Sequence, residues 1–242
     1  TGETCAGPRL DGCQRATLSV VSNRSPGSAP AARVSTSASP APPHEGWPRP
    51  AKIAFIGSHG IRKTTALLAF AATVQRAGRS VELGREVVRD NPLGINERAT
   101  GEAQLWVLVS QIRQELELAH KADVLATDRG VMDNFAYYLR ACGGVDRFGI
   151  EPLVRTWSAT YDLVVRLLPD IALQADGVRS TNDAFRHEVE EILEQRLPTF
   201  VEADRLLTMR ASDVTSRTDW WAVLDRLATR IGATIRDPNL WT

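Results

Sequence analysis

Lysine is nearly absent from this sequence, which has three lysines and 26 arginines among 242 residues. The formal net charge at pH 7 is zero, so no overall basic field favours nucleic acid as a partner. No apolar run approaches the roughly 18 residues that a membrane-spanning helix needs, so we expect no membrane partner. Three cysteines, an odd number at no metal-ligand spacing, favour a reduced cytoplasmic protein.

The first fifty residues lack the apolar content of a folded core. They hold eight of the 13 prolines and are rich in serine and alanine, so they bury too little apolar surface to offset their ordering entropy. We predict a disordered extension over residues 1–50 and one folded domain over residues 51–242. Residues 12–44 carry arginines and no acidic residue, as organelle transit peptides do; a non-conserved extension or a misassigned start are the alternatives.

From residue 52 onward, short apolar runs alternate with amphipathic stretches. The predicted strands are Lys52–Gly57, Ser80–Leu83, Asp123–Thr127, Leu163–Leu168 and Arg205–Thr208. The predicted helices are Lys63–Ala77, Gly101–Ala119, Met132–Cys142, Ile150–Thr160, Asp183–Leu197 and Trp220–Ile231. This alternation is typical of βαβ units, so we expect an α/β fold whose parallel sheet carries helices on both faces. Ligands of such sheets bind beyond the carboxyl ends of the strands.

The stretch "GSHGIRKTT" places a glycine-containing turn between the first predicted strand and helix. It departs from the phosphate-loop pattern G-x-x-x-x-G-K-[ST] at one position, where Arg62 replaces glycine. Backbone N–H groups of such a loop wrap phosphates, the lysine contacts the terminal phosphates and the hydroxyl ligates Mg²⁺. A turn with a chance Lys-Thr is the alternative. The predicted nucleotide-binding residues are Gly57, Ser58, His59, Gly60, Ile61, Arg62, Lys63, Thr64 and Thr65.

Arg62 raises two physical objections to phosphate binding. If the position requires a positive φ, arginine pays on the order of 1–2 kcal/mol that glycine does not. Its Cβ could also crowd phosphates that the backbone must approach closely. Its positive charge would offset part of this loss near a polyanion. We expect weakened nucleotide binding.

An apolar strand ends in "TDRG", which places Asp128 and Arg129 beside the phosphate loop. A carboxylate at this strand end can hold the Mg²⁺ shell together with Thr64, and an adjacent guanidinium can bind phosphate oxygens. The alternative is a structural one, in which Asp128 caps the next helix.

Two further segments carry charged residues after predicted strands. Glu86 and Arg89 are three residues apart after the second strand, so they share a helical face: Glu86 could take a proton from an acceptor hydroxyl and Arg89 could hold the acceptor. A surface ion pair is the alternative. Arg179 and Arg186 follow the fourth strand and could stabilise the transferring phosphoryl group from a mobile lid, unless this stretch is only a solvated amphipathic helix.

These segments occur in an order that resembles one branch of the P-loop NTPases, the AAA-family proteins similar to ribosylnicotinamide kinases, thymidylate kinases and deoxynucleoside kinases. The resemblance covers most of residues 51–200 and rests on "IAFIGSHGIRKTT", "GREVVR", "EAQLWVLVSQIRQELE" and "VLATDRGVMDNFAYY". It implies a five-stranded parallel sheet in the order 2-3-1-4-5 with a helical lid. It also implies Gln104 and Gln111 as acceptor contacts beside Arg89.

The sequence as a whole predicts an ATP- and Mg²⁺-dependent phosphotransferase acting on a small hydroxylated or phosphorylated acceptor. The predicted catalytic residues are Lys63, Glu86, Asp128, Arg129, Arg179 and Arg186. A nucleotide-dependent switch or ATPase without an acceptor is one alternative, and a degenerate scaffold disabled at Arg62 is the other. No nucleic acid or membrane is expected as a partner, and the chain could form a homodimer.

Overall fold

The computed structural model describes residues 50–173, 182–216 and 219–232. Five parallel strands form one sheet in the order β2-β3-β1-β4-β5, which confirms the predicted fold. The strands are β1 (Ala51–Ile56), β2 (Val81–Gly84), β3 (Val124–Asp128), β4 (Leu163–Leu168) and β5 (Leu206–Arg210). The extension predicted to be disordered falls, apart from its last residue, outside the described ranges.

Seven α-helices accompany these strands in the described part of the chain. They are α1 (Lys63–Arg76), α2 (Gly101–Leu118), α3 (Val131–Ala141), α4 (Glu151–Ser158), α5 (Asp183–Arg196), α6 (Asp213–Ser216) and α7 (Trp220–Arg230). Six of them match the predicted helices to within a residue or two at each end. The sequence analysis missed α6, because a four-residue helix is too short to show a helical period.

Alternate residues of β1 separate two hydrophobic layers, as the two-residue period of a strand requires. Ile53 and Phe55 pack in the layer with α1 and α7, whereas Ala54 and Ile56 pack in the layer with α3 and α5. Trp220 is buried in the first layer, with its ring centroid 6.1 Å from that of Phe55. It therefore serves as core rather than as a base-stacking platform.

The carboxyl ends of β1, β2 and β3 meet at one edge of the sheet. Phe55 of β1 pairs with Asp128 of β3, and Gly84 of β2 pairs with Thr127. The loops that follow these strands, which hold the predicted site residues, therefore emerge side by side. None of the helices within the described ranges combines the length and apolar character needed to cross a bilayer.

Candidate functional site

The loop between β1 and α1 has a backbone that two glycines make possible. Gly57 has a φ of 133°, and a Cβ there would lie 2.5 Å from Cδ1 of Ile61 and 2.7 Å from the carbonyl oxygen of Leu167. Gly60 has a φ of 74°, and a Cβ there would lie 2.6 Å from Cδ2 of Leu173. Since both conformations favour glycine, the loop has the tight, glycine-dependent path expected of a phosphate-binding loop.

Arg62 adopts the left-handed conformation that glycine would take at this position. Its φ is 63° and its ψ is 26°, which costs an L-residue roughly 1–2 kcal/mol. Its Nη1 atom donates a hydrogen bond of 3.0 Å to Oγ1 of Thr215 in α6. The backbone therefore keeps the glycine-like course despite the substitution, and the guanidinium lies against α6.

Lys63 is buried at the first position of α1, with a relative exposure of 5%. Its Nζ donates to the carbonyl oxygens of Gly57, at 3.0 Å, and Ser58. Burial, together with the nearby charge of Arg129, lowers the pKa of Lys63 to about 8. The loop thus encloses the ammonium and destabilises its charged form. A bound polyanion would stabilise that form and raise the pKa of Lys63 again.

Thr64 and Asp128 form the pair predicted to hold Mg²⁺. The Thr64 hydroxyl donates to Oδ2 of Asp128, whereas the buried Oδ1 atom has no hydrogen-bond partner among the described residues. A hydroxyl and a carboxylate oxygen fit the oxygen preference of Mg²⁺, which usually keeps several waters and adds substrate phosphates. Asp128 does not cap the following helix, because the carboxylate that accepts from the N-cap Gly130 is that of Asp133.

Arg129 has a left-handed backbone conformation, with a φ of 88°, and its side chain takes part in an ion-pair network. Its Nε and Nη2 atoms donate to Oε1 of Glu86 at 2.8 and 2.7 Å. Its Nη1 atom lies 3.7 Å from Oδ2 of Asp133, and its guanidinium lies over the Tyr137 ring, 4.7 Å from the centroid. Burial raises the pKa of Asp133 to about 6, although the charge of Arg129 opposes this shift.

A cleft lies beside this network, between α2, α3, α5 and the segment after β2. The space between its lining atoms is about 490 Å³ when the open solvent at its mouth is included, and about 30 Å³ of it admits the centre of a water molecule. Six of its lining residues are Glu86, Arg89, Gln104, Arg129, Asn134 and Tyr137. A second cleft is lined by Thr64, Leu83, Arg85, Glu86, Arg89 and Asp128. The structure therefore brings the predicted acceptor residues Arg89 and Gln104 together with the candidate base, Glu86.

Two predicted residues within the described ranges, Gln111 and Arg186, do not line this cleft. Gln111 is completely buried, and its Nε2 donates to Glu115 at 2.8 Å and to the carbonyl oxygen of Arg129 at 3.4 Å, so it supports the Arg129 backbone instead of facing an acceptor. Arg186 binds the carbonyl oxygen of Ile171 at 2.9 Å and the carboxylate of Asp183 at 2.8 Å. Arg179 lies outside the described residues.

Two features of the site were not predicted from the sequence: the aromatic and amide side chains that line the cleft, and a hydrogen bond between α5 and the loop after β1. His59 stacks on Phe185 of α5, with ring centroids 5.2 Å apart, and its Nδ1 lies 3.1 Å from the Tyr137 hydroxyl. Glu190 of α5 accepts a hydrogen bond of 2.7 Å from the Ser58 N–H. The spacing of Asn134 and Tyr137, three apart on α3, could have placed both on one helical face. The Glu190 contact joins residues 132 positions apart, and no local pattern reveals it.

This chain is similar to a known protein family and to proteins of known structure. The AAA domain family model matches residues 52–202, which is more than half of the chain. The chain belongs to the AAA domain family. The loop between β1 and α1 and the strand order of the sheet give it the fold of a P-loop NTPase. A comparison with curated proteins finds no match.

Three solved structures share the fold. NadR protein in complex with NR gives a TM-score of 0.54 at 15% identity, covering 77% of this chain and 52% of NadR. NadR with NAD and AMP-PNP gives 0.51 at 18% identity, covering 77% and 51%. Deoxyadenosine kinase from M. mycoides with bound dATP gives 0.50 at 16% identity, covering 73% and 98%. The AAA-domain chain thus spans about half the length of NadR, and likeness at these identities establishes the fold.

Proposed function

We propose that the chain is an ATP-dependent phosphotransferase whose acceptor is a nucleoside, a nucleotide or a related hydroxylated metabolite. The observation that carries this proposal is the position of Glu86 and Arg89. Both side chains line the cleft beside the Thr64–Asp128 pair. Both also line the cleft that contains Gln104. Glu86 and Arg89 therefore border both the cleft proposed for the phosphates and the cleft proposed for the acceptor. Phosphoryl transfer between two bound molecules requires such neighbouring sites.

The neighbouring structures support the choice of donor and reaction. One NadR structure holds AMP-PNP, and the deoxyadenosine kinase structure holds dATP. The Lys63 ammonium, enclosed at the helix N-terminus, would bind the terminal phosphates of ATP. Arg129 would add a second cation from the acceptor cleft, where its guanidinium lies between Glu86 and Asp133.

The reaction follows from this arrangement. The acceptor hydroxyl oxygen forms a bond to the γ-phosphorus, the bond from that phosphorus to the β–γ bridging oxygen breaks, and ADP leaves. The hydroxyl proton passes to the Glu86 carboxylate, which needs little basicity because the transition state of phosphoryl transfer is loose. Mg²⁺, when held by Thr64 and Asp128, would neutralise charge on the phosphate oxygens. Lys63 and Arg129 stabilise the same charge by fixed hydrogen bonds.

A second candidate, an ATPase or switch without a small acceptor, draws support from Arg186. Its guanidinium is engaged by the Ile171 carbonyl and by Asp183, so it is held within its own helix and the β4–α5 connection. The degenerate scaffold is less favoured, because Arg62 keeps the conformation of glycine. We retain a small-molecule acceptor as the partner and the cytoplasm as the location that the cysteine pattern predicts.

The proposal is tested by measuring ADP release from Mg·ATP in the presence of nucleosides, nucleotides and other hydroxylated metabolites. At least one acceptor should raise the rate well above that of ATP alone. Glu86→Gln should lower kcat with this acceptor by about 10²- to 10⁴-fold if Glu86 takes the proton, and by less if it only orients the hydroxyl. Glu194→Gln, on the exposed face of α5, serves as the control and should leave the rate unchanged.

Each competing function gives a different result in this assay. Slow ADP release that no acceptor stimulates would favour the ATPase or switch. No ADP release, together with no binding of Mg·ATP, would favour the scaffold. Acceptor-stimulated release that Glu86→Gln leaves unchanged would retain the phosphotransferase and remove Glu86 from its mechanism.

A further inference from the structure

One polar side chain of the acceptor cleft has no role in the network described above. Asn134 lies on α3 with a relative exposure of 1% and lines the cleft. Its Nδ2 atom is buried and has no hydrogen-bond partner among the described residues. A buried donor without a partner is costly to the folded state, so its presence calls for an explanation.

The neighbours of Asn134 do not provide that explanation. Asp133, the preceding residue, directs Oδ1 to the Gly130 N–H and lies near Arg129 through Oδ2. The backbone N–H of Asn134 bonds to the Gly130 carbonyl at 3.3 Å, as α3 requires, without involving the side chain. A residue whose only task was to fill this space would cost less if it were apolar.

The surroundings restrict the chemistry of a partner atom. Gln104 and Val107 of α2 and the rings of Tyr137 and Phe185 line the same cleft. Three formally charged residues line the cleft, and the Glu86 carboxylate pairs with both cations: with Arg129 at 2.7 Å and with Arg89 at 3.9 Å. The Asn134 amide therefore offers an N–H donor within a wall of aromatic, amide and aliphatic side chains. Such a wall suits a flat ring that carries an uncharged acceptor atom, either a carbonyl oxygen or an unprotonated ring nitrogen.

We propose that Asn134 determines acceptor specificity, by donating Nδ2–H to a carbonyl oxygen or ring nitrogen on the edge of a heteroaromatic ring. The acceptor is thus a nucleoside-like molecule whose ring enters beside α3. Its hydroxyl faces Glu86, on the side of the cleft that adjoins Thr64 and Asp128. This inference rests on the proposed function for the reaction, but its binding claim can be measured without ATP.

The test compares ligands that differ at one ring position. Uridine and cytidine, and inosine and adenosine, each exchange a carbonyl oxygen for an amino group. Calorimetric titration of the full chain should show that one member of at least one pair binds more tightly. That member carries the carbonyl if Nδ2–H donates to the carbonyl oxygen, and it carries the amino group if Nδ2–H donates to the adjacent ring nitrogen, which is unprotonated only there. Asn134→Leu, which removes the donor at similar volume, should weaken binding of the preferred member by about tenfold and change the other member little.

Thermal unfolding separates ligand recognition from a structural role. Asn134→Leu should keep or raise Tm, because it removes an unpaired buried polar group without opening a cavity. Asn134→Ala should lower Tm through the cavity it leaves and show the same loss of ligand preference. Met132→Leu, at a position on α3 that is equally buried and does not line the cleft, is the control and should leave the preference intact.

The inference is overturned if Asn134→Leu keeps the wild-type ligand preference, whatever its Tm, or if no nucleoside binds. Its failure can be told apart from failure of the phosphotransferase proposal. Ring preference that depends on Asn134, without ADP release, would support the binding residue and reject the reaction. ADP release with a preference unaffected by Asn134→Leu would support the reaction and reject the residue.

Discussion

Lys63 connects the electrostatics of the loop to nucleotide binding. Its ammonium is enclosed between loop carbonyls, and burial lowers its pKa to about 8. Because Lys63 is a base, its lowered pKa means that the protonated ammonium is destabilised in the protein without bound nucleotide. Triphosphate oxygens placed beside the ammonium favour that form and raise the pKa again.

We therefore predict proton uptake when Mg·ATP binds at pH 8. Since Lys63 is close to half-protonated there, binding should take up about half a proton, and almost none at pH 6.5. Affinity should consequently fall as the pH rises from 7 to 9. Calorimetry in buffers of different ionisation enthalpy measures this uptake directly.

Lys63→Arg provides the comparison, because a guanidinium stays charged throughout this pH range. The variant should show no uptake linked to this position, even if it binds more weakly. Equal binding enthalpies in all buffers at pH 8 for the wild-type chain would contradict the environment assigned to Lys63.

Arg62 shows how far single residues can be interpreted from the sequence. The sequence predicted the cost of a positive φ at this position, and the structure has that φ, at 63°. The direction of the side chain was not predictable, because its partner, Thr215, is 153 residues away on a helix too short to show a period. Long-range partners of this kind need tertiary coordinates.

At the scale of elements, α5 joins the acceptor cleft to the phosphate loop. Phe185 lines the cleft and stacks on His59 of the loop. One turn further along α5, Glu190 accepts from the Ser58 N–H at 2.7 Å and from Nη2 of Arg166 at 3.4 Å. The charge pattern of "RHEVEEIL" indicated a lid or a solvated face, and its Glu190 instead contacts the Ser58 N–H of the loop.

Removing this anchor should weaken both the fold and nucleotide binding. Glu190→Ala leaves the Ser58 N–H unpaired in a buried position, which costs about 1–3 kcal/mol in the free energy of unfolding. Mg·ATP affinity should also fall, because the start of the loop loses its attachment to α5. Glu190→Gln keeps an accepting oxygen and should have a smaller effect on both quantities.

Urea unfolding and Mg·ATP titration measure the two effects. The matched control is Glu191→Ala, the next residue of the same helix, whose side chain is exposed. If Glu190→Ala and Glu191→Ala have equal effects, the contact to Ser58 does not anchor the loop.

At the scale of the whole molecule, the sequence predicted the architecture more fully than the site. The main helices and strands followed from apolar periodicity, and the strand order followed from the family resemblance. The pairing of β1 with β3 and β4 agrees with that order. Residues close to the strand ends, such as Glu86 and Asp128, were found because parallel strands bring their carboxyl ends together. The hydrogen bonds of Gln111 to Glu115 and to the Arg129 carbonyl were not predictable, because helical spacing cannot tell whether an amide faces the cleft or the core.

The central claim is that this chain retains a phosphate-binding loop despite Arg62, and titration of Mg·ATP into the wild-type chain and Arg62→Gly tests it most directly. Because Arg62 already has the left-handed conformation of glycine, both proteins should bind, with dissociation constants within about tenfold of each other. Absence of binding by the wild-type chain, with binding restored by Arg62→Gly, would contradict the claim.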